Sequence, residues 1–403
     1  MNTREHQFLS TAERLFPRLV EIRRHLHRYP ELSEQEYETM EYLSGWLARL
    51  GIRHERGIAG TGLVAYIEGK QTGKSCVALR ADMDALPIEE KNNTEYSSQR
   101  LGVMHACGHD AHMTSLLGAM MILQENRDSF RGIVKCIFQP SEEKYPGGAI
   151  RMIQAGVLQN PAPEAIFGQH VYPELPVGMV GFKPGKYMAS TDEIYITIKG
   201  RGGHAAAPHQ NIDSVVIGSE VVMALQQLVS RRANPTMPTV LSFGRFVANG
   251  RTNIIPDEVR IEGTLRTFDE NWRKEAHELI TRIVTGIANA YGATAEVFVD
   301  KGYPFVYNHE SLTLRAIEVS QRLVGKDNVV ELDLRMTAED FAYYGQHVPA
   351  CFYRLGTALP DRPFTPLHSA TFDIDEKALI TGSSLMALLA VEELDYLSSV
   401  KGS

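Results

Sequence analysis

The sequence predicts a two-domain α/β protein in which a smaller α+β domain interrupts a larger α/β domain. Its 403 residues, 43% of them hydrophobic, can bury two separate cores. Strand-like apolar runs alternate with helix-like segments in the first part of the chain and return after about residue 301, a rhythm typical of an α/β sheet. Between them the order is strand, helix, strand, strand, helix, strand, the ferredoxin-like split unit. We therefore expect an α/β domain over 1–188 and 302–403, with a ferredoxin-like domain over 189–301.

The larger domain is predicted from its hydrophobic periodicity. Helices are expected over 11–27, 34–50, 113–123, 148–155 and 376–396, and strands over 61–67, 76–80, 132–138, 165–170 and 351–355. Open α/β sheets bind their ligands at the carboxyl ends of the strands. Polar residues that follow these strands are therefore the first candidates for a functional site.

The inserted domain is predicted in the same way. Its strands are expected over 193–199, 239–247, 257–267 and 294–300, and its helices over 213–231 and 270–291. This order places two helices on one face of a four-stranded sheet. The insertion is therefore expected to be a self-contained domain.

Composition excludes several classes of function. The net charge of −8 is spread along the chain without a Lys/Arg run, which argues against a nucleic-acid partner. Four scattered cysteines are too few for a disulfide framework and favour a reducing compartment. The chain opens without the apolar core of a signal peptide, and no later apolar run approaches the length of a membrane span. We expect a cytoplasmic protein that acts on a small molecule.

The densest chemistry lies between His105 and His112. Five side chains within these eight residues can bind metal or transfer protons: His105, Cys107, His109, Asp110 and His112. A thiolate, imidazoles and a carboxylate suit zinc or a similar divalent ion, and Gly108 would let Cys107 and His109 face one point. We expect Asp110 to cap the helix that follows, whose N-terminus would help to hold Cys107 as the thiolate. A structural histidine cluster around a buried cysteine is the alternative, and the crowding argues against it.

Two further groups of acids follow predicted strands. Glu142 and Glu143 come just after strand 132–138, where one carboxylate could bind a metal and the other could act as general base. Asp82 and Asp84 follow strand 76–80 and could orient a ligating imidazole, or be solvated loop residues.

Two distant histidines complete the candidate metal site. His170 lies at the end of strand 165–170, and His368 lies between two strand-like stretches. Together with Cys107, His109 and Glu143 they make five candidate ligands, too many for one catalytic ion that must keep an open position. Two divalent ions a few ångström apart are the simplest solution.

The inserted domain carries a glycine-rich turn, Gly200-Arg201-Gly202-Gly203-His204. It lacks the Lys-Ser/Thr ending of a phosphate loop. Its small residues are expected to present His204 outward.

Taken together, these residues resemble the metal-dependent amidohydrolases of the aminoacylase and carboxypeptidase clan. The similarity is to the branch of hippurate hydrolases, auxin-conjugate hydrolases and N-acetyl-diaminopimelate deacetylases. It covers nearly the whole chain in the family's order. The motifs are Arg24-His25-Leu26-His27, Pro30-Glu31-Leu32-Ser33, the run 80–87, the run 105–112, the run 138–143, the run 200–209, Asn253-Ile254-Ile255-Pro256, Ala338-Glu339-Asp340-Phe341 and Leu367-His368-Ser369.

The resemblance implies a metal-dependent exopeptidase-like catalytic domain with two divalent metal ions, Zn, Mn, Co or Ni. It implies that Cys107 bridges them, that Glu142 is the general base, and that Arg80 stands where other branches carry a metal-binding histidine. The implied metal ligands are Cys107, His109, Glu143, His170 and His368.

The same resemblance implies that the inserted domain is a lid and dimerisation module, so a homodimer is expected. His204 would reach a partner subunit's site and stabilise the oxyanion, and Asn253 and Arg266 would hold polar groups of the substrate. Where many relatives have glycines after the acid pair, this chain has Lys144-Tyr145-Pro146, so the preferred acyl group does not carry over.

The sequence therefore predicts a two-metal hydrolase that cleaves N-acyl amino acids, such as N-acetyl or N-benzoyl amino acids, to a carboxylate and a free amino acid. A dipeptidase or aminopeptidase with the same metal site, or a non-catalytic metal-binding relative, is the alternative.

Overall fold

The computed structural model describes residues 3–359 and 364–401. The helices are α1 (Thr3–Arg28), α2 (Tyr37–Arg49), α3 (His109–Glu125), α4 (Gly148–Gln154), α5 (Ser214–Gln227), α6 (Glu270–Ala290), α7 (Glu310–Val324), α8 (Ala342–Gly345) and α9 (Ala378–Lys401). The strands are β1 (Arg53–Ile58), β2 (Gly62–Glu68), β3 (Gln71–Asp82), β4 (Arg131–Gln139), β5 (Ala165–Pro176), β6 (Val180–Phe182), β7 (Gly185–Met188), β8 (Asp192–Lys199), β9 (Gly203–His204), β10 (Thr239–Val247), β11 (Ile254–Ile255), β12 (Glu258–Thr267), β13 (Thr294–Lys301), β14 (Val306–Asn308), β15 (Val329–Glu331) and β16 (Ala350–Ala358).

The described chain divides into two compact units. The larger contains the chain up to Gly185, Tyr307–Asp333 and the chain from Asp340 onward, and the smaller contains Lys186–Val306 with Leu334–Glu339. The short segment 334–339 lies far from the insertion in sequence. It joins the smaller unit because Arg335 exchanges main-chain hydrogen bonds with Tyr187 and Ala189, each 2.9 Å long.

The larger unit is built on an eight-stranded mixed sheet in the order β1-β2-β4-β3-β5-β16-β6-β15. Its four central strands β4, β3, β5 and β16 run parallel, so their carboxyl ends meet at one edge. The α/β class is therefore confirmed, and the sheet brings the residues after four different strands together.

Two almost fully buried helices, α3 and α9, pack on the parallel strands and on each other. Small residues allow the close approach, since a Cβ atom on Gly118 of α3 would lie 2.2 Å from Ser383 Oγ of α9. Apolar periodicity cannot show such a helix, because nearly every position faces protein. Its long apolar run is the signal that remains.

The smaller unit has a four-stranded antiparallel sheet in the order β10-β12-β8-β13, with helices α5 and α6. This is the strand order of the ferredoxin-like unit. Asp213 precedes α5 as its N-cap and accepts from the main-chain N–H groups of Val215 (2.9 Å) and Val216 (3.2 Å).

The sequence analysis did not assign β1 and α7. Strand β1 is an exposed edge strand of charged residues and has no apolar alternation to find. Helix α7 buries Leu312, Ala316, Val319 and Leu323, a helical spacing that could have been recognised.

Among the described residues, no helix combines the length and the apolarity that a membrane crossing needs.

Candidate metal and catalytic site

The candidate site forms at the carboxyl edge of the central parallel strands of the larger unit. Asp84 follows β3, the acid pair Glu142 and Glu143 follows β4, and His170 lies within β5. His170 was expected to end its strand, but β5 continues to Pro176 because it stays paired with β16. Three chain segments that are distant in sequence thus converge here.

Cys107 lies just before α3, in a turn that only glycine accommodates. Gly108 has a φ of +84°, and a Cβ atom there would lie 2.5 Å from Val171 Cγ2. A main-chain hydrogen bond from His368 to Ala106 O (2.8 Å) brings the His368 loop beside Cys107. The predicted role of the glycine is therefore confirmed, and a distant histidine is placed next to the thiol.

The prediction that Asp110 caps α3 is wrong. The helix begins at His109 with Gly108 as its N-cap and no side-chain cap. Asp110 Oδ2 instead accepts from Arg23 Nε (2.8 Å) and His27 Nδ1 (2.8 Å), both contributed by the buried face of α1. Leaving the charge of the fully buried Arg23 unpaired would cost more free energy than leaving the start of α3 without a side-chain cap, so Asp110 pairs with Arg23.

Hydrogen bonds divide the histidines of this region into two kinds. His112 is satisfied twice, since Nδ1 donates to Asp82 Oδ1 (2.6 Å) and Nε2 accepts from Val171 N–H (2.9 Å). His109 Nδ1 donates to the main-chain oxygen of Asp84 (2.8 Å), while its buried Nε2 has no hydrogen bond within 3–359 and 364–401. His112 is thus part of the scaffold, whereas His109 Nε2 is left without a hydrogen-bond partner among the described residues.

His105 and His170 are both buried, but only His170 faces the site. Neither ring nitrogen of His105 forms a hydrogen bond with the described part of the chain, and burial lowers its pKa to about 3. His170 Nδ1 donates to Val171 O (2.8 Å), and its Nε2 lies 3.4 Å from Cys107 Sγ.

The acid pair is held by its main chain. The N–H groups of Glu142 and Glu143 donate to the two carboxylate oxygens of Asp84, each at 3.0 Å. Glu142 Oε1 accepts from the main-chain N–H of Asp340 (3.4 Å), and Glu143 Oε1 lies 3.3 Å from His368 Nε2 and 3.9 Å from His109 Nε2. The two carboxylates therefore face the histidines.

The larger unit contains four groups of candidate donor atoms, and within each group all atoms lie within 4.8 Å of one another. One of them, Asp82 with His109 and His112, includes the His112 ring that is already hydrogen-bonded at both nitrogens, and the other three overlap. These three groups are Cys107 with His109 and His170, Cys107 with Glu143 and His368, and His109 with Glu142 and Glu143. Cys107 belongs to two of them. A thiol, three imidazoles and carboxylates are the donors that zinc and similar first-row metals prefer.

The electrostatics of the site favour a cation. Burial and the carboxylates of Glu143, Glu142 and Asp82 raise the pKa of the Cys107 thiol well above its usual range. These carboxylates oppose the thiolate when no cation is bound, and the expected contribution of the start of α3 to holding the thiolate stays a prediction. Although burial opposes it, Asp82 and Asp84 raise the pKa of His109 to about 10, so this pocket draws positive charge.

Arg80 ties the strand ends together beneath the acid pair. Its guanidinium donates to Gln139 Oε1 (2.8 Å), Asp82 Oδ2 (2.6 Å) and Asp340 Oδ1 (2.7 Å), all of them buried. The sequence analysis named Asp82 and Asp84 as orienting residues, whereas it quoted Asp340 only as part of the motif Ala338-Glu339-Asp340-Phe341 and assigned it no role.

The segment Lys144-Tyr145-Pro146 closes the turn after the acid pair. Lys144 Nζ pairs with Glu34 Oε2 (2.5 Å), and the Tyr145 side chain is half exposed. A salt-bridged turn thus occupies the position at which, by the family resemblance, many relatives have glycines.

The other predicted site residues lie in the smaller unit. His204 is exposed on β9, which pairs with β11 just beyond Asn253. Arg266 on β12 is partly buried and donates to Met336 O (3.3 Å) within the same unit.

Comparison with known proteins identifies a family and several relatives to which this chain is similar. The model of peptidase family M20/M25/M40 matches residues 78–392. The chain is similar to an N-acetyl-L-cysteine deacetylase of Bacillus subtilis, 40% identical over 387 residues that cover 96% of this chain and 90% of the relative. It is also similar to an N-acyl-L-amino acid amidohydrolase of Geobacillus stearothermophilus, 45% identical over 292 residues, 72% of this chain and 78% of the relative.

A solved structure matches the fold. It is a Bacillus subtilis protein described as a dinuclear metal-binding peptidase of family M20, with a TM-score of 0.82 and 37% identity, covering 95% of this chain and 99% of that one.

The division of the histidines can be tested by stability. Replacing His112 with Phe should lower the free energy of unfolding of the metal-free protein by about 2–6 kcal/mol, about 1–3 for each buried partner lost on Asp82 and Val171. His368→Phe is the matched control, because the His368 side chain is 52% exposed and its loss should change stability by less than about 0.5 kcal/mol. Chemical denaturation followed by circular dichroism measures both. Equal losses would contradict a scaffold role for His112.

Proposed function

The chain belongs to peptidase family M20/M25/M40, and we propose that it hydrolyses the amide bond of N-acyl amino acids to a carboxylate and a free amino acid. The observation that carries the proposal is the meeting of Glu142 with the Cys107 and His109 donor groups at one strand edge. Relatives at 40–45% identity are named N-acetyl-L-cysteine deacetylase and N-acyl-L-amino acid amidohydrolase.

We assign two divalent ions to the donor groups of the larger unit. Cys107 would be shared between them, since it belongs to two groups, with His109 and His170 on one side and Glu143 and His368 on the other. When bound, such ions supply Lewis acidity toward the scissile carbonyl and make hydroxide available near neutral pH. The donor set suits zinc, manganese, cobalt or nickel.

Glu142 is the proposed general base. Its side chain is 7% exposed, and its carboxylate is directed by the Asp340 N–H. It would take a proton from the attacking water as the oxygen bonds to the carbonyl carbon. It would return that proton to the amide nitrogen as the C–N bond breaks, which gives the carboxylic acid and the free amine; the acid proton then passes to solvent and leaves the carboxylate.

The smaller unit is proposed to act as a lid and to form a homodimer. His204 Nδ1 accepts from Ala206 N–H (3.0 Å), so in the neutral ring the proton lies on Nε2 and can be donated to an oxyanion. Asn253 and Arg266 would hold polar groups of the substrate. The four buried, free cysteines support a reducing, cytoplasmic location.

Glu142→Gln tests the reaction. A panel of N-acetyl and N-benzoyl amino acids beside free dipeptides, assayed with zinc, manganese, cobalt and nickel separately, should give turnover of the acylated substrates by the wild type. The variant should lose about 10²–10⁴-fold in kcat while retaining its metal, because an amide cannot accept the proton. Glu41→Gln, on the surface, is the control. Preference for dipeptides would instead favour a peptidase, and a variant within threefold of wild type would exclude Glu142 as the base.

Cys107→Ser tests the shared ligand. A hydroxyl does not readily give up its proton, so it should hold two neighbouring cations less well than a thiolate does. Elemental analysis after dialysis should find fewer ions per chain than in the wild type. Cys136→Ser, a buried strand cysteine outside the donor groups, should retain the wild-type number. Two ions held with unchanged affinity by Cys107→Ser would remove Cys107 from the bridging position.

Subunit mixing tests the lid. If His204 serves a partner's site, a mixture of inactive His204→Ala and inactive Glu142→Gln should regain activity, because each mixed dimer has one complete site. Equal mixing should give at most about a quarter of wild-type activity, since about half of the dimers are mixed and each has one working site of two. If subunit exchange is verified and the mixture stays inactive, His204 acts within its own chain or not at all.

A further inference from the structure

We propose that Glu36 is a positioning residue for the acid pair: its carboxylate holds Ser141 in the conformation that directs Glu142 and Glu143 into the site. The inference deepens the proposed function, because the two acids are its general base and one of its metal ligands. Glu36 touches neither of them and acts through the main chain of Ser141.

The Glu36 carboxylate is fully buried and engaged at both oxygens. Oε1 accepts from the main-chain N–H of Ser141 (2.8 Å), and Ser141 Oγ lies 3.3 Å from the same oxygen. Oε2 accepts from Thr61 Oγ1 (2.6 Å). Burying a carboxylate is costly, so these bonds must be strong enough to keep it in place.

Ser141 needs such support. Its φ is +55°, in the left-handed region that costs a non-glycine residue on the order of 1–2 kcal/mol. Its hydroxyl accepts from Glu34 N–H (2.9 Å), and its N–H is the group that Glu36 accepts. The residue before the acid pair is therefore held in an unfavourable conformation by side chain and main chain together.

This conformation decides where the acids point. The next two N–H groups, of Glu142 and Glu143, donate to Asp84 at 3.0 Å each. Three successive main-chain donors thus end on carboxylates, Ser141 on Glu36 and the acid pair on Asp84. Without Glu36, Ser141 could relax to a backbone conformation of lower free energy, outside the left-handed region. Glu142 and Glu143 would then be displaced relative to Cys107 and His109.

Helix capping does not account for the Glu36 carboxylate. Glu36 is the N-cap residue of α2, but its side chain makes no capping hydrogen bond. Glu31 does this instead, accepting from the main-chain N–H groups of Glu38 (3.2 Å) and Thr39 (2.8 Å).

Glu36→Ala and Glu36→Gln test the proposal. The alanine variant should lose about 10–100-fold in kcat, the scale of a misplacement of about 1 Å, with KM within about threefold. It should also retain fewer ions after dialysis, because Glu143 moves with the turn. The glutamine variant should stay within about threefold of wild type in both measurements, because its oxygen can accept from Ser141 and its amide can donate to Thr61. A glutamine variant as impaired as alanine overturns the proposal.

Glu31→Ala is the matched control, since it removes a carboxylate that binds main-chain N–H groups of the same segment without touching Ser141. It should lower the melting temperature and leave kcat and metal retention unchanged. If it reproduces the losses of Glu36→Ala, the effect is general destabilisation and the positioning role is rejected. Wild-type kcat and metal retention in a folded Glu36→Ala protein reject it as well.

Thr61→Val decides the matter if Glu36→Ala does not fold. It removes one anchor of the carboxylate with little change in shape, and it should give smaller losses of the same two kinds; wild-type values would overturn the proposal. Metal retention is measured without substrate. It therefore tests Glu36 even if the wild-type protein turns over no N-acyl amino acid.

Discussion

The carboxylate of Asp84 is the constraint on which the rest of the site depends. It lies just beyond β3, accepts the main-chain N–H groups of Glu142 and Glu143, and receives the hydroxyl of Ser33 (2.7 Å). Although burial opposes ionisation, the adjoining His109, these donors and the Ser33 hydroxyl lower the pKa of Asp84, so it remains an acceptor. One buried anion thus sets the direction of both acids and faces the imidazole that they approach.

Buried ion pairs hold in place the strands and helices that carry the site residues. Arg80 joins the ends of β3 and β4 to Asp340, and Arg23 joins α1 to Asp110 and to Asp373 (3.0 Å). Removing one partner from such a pair typically costs about 3–5 kcal/mol, because a charge is left buried without compensation. The elements that carry the donor groups therefore have little freedom to shift. A site whose side chains must stay within a few ångström of one another benefits from this rigidity.

The two units hold their candidate residues differently. In the larger unit, His109, His170 and Glu142 are buried and oriented by main-chain hydrogen bonds. In the smaller unit, His204 and Asn253 are exposed. Proton transfer and metal binding tolerate little displacement, whereas contacts with variable substrates can adapt. In the proposed function, the larger unit supplies the metal ligands and the general base that hydrolyse the amide bond. Substrate choice then falls to the smaller unit and to the salt-bridged turn at Lys144.

The sequence by itself determined the α/β class, the ferredoxin-like insertion and the dense Cys107–His109 cluster, because periodicity and ligand spacing are local properties. It proposed His170 and His368 as partners from strand ends and family resemblance, and the structure brings both beside Cys107 or Glu143. Only the tertiary structure decided that Asp110 pairs with Arg23 rather than caps α3, and that His112 belongs to the scaffold. It alone connected Glu36 with Ser141, 105 residues away. Which acceptor a buried donor finds depends on the segments that packing brings together, and no local pattern records that choice.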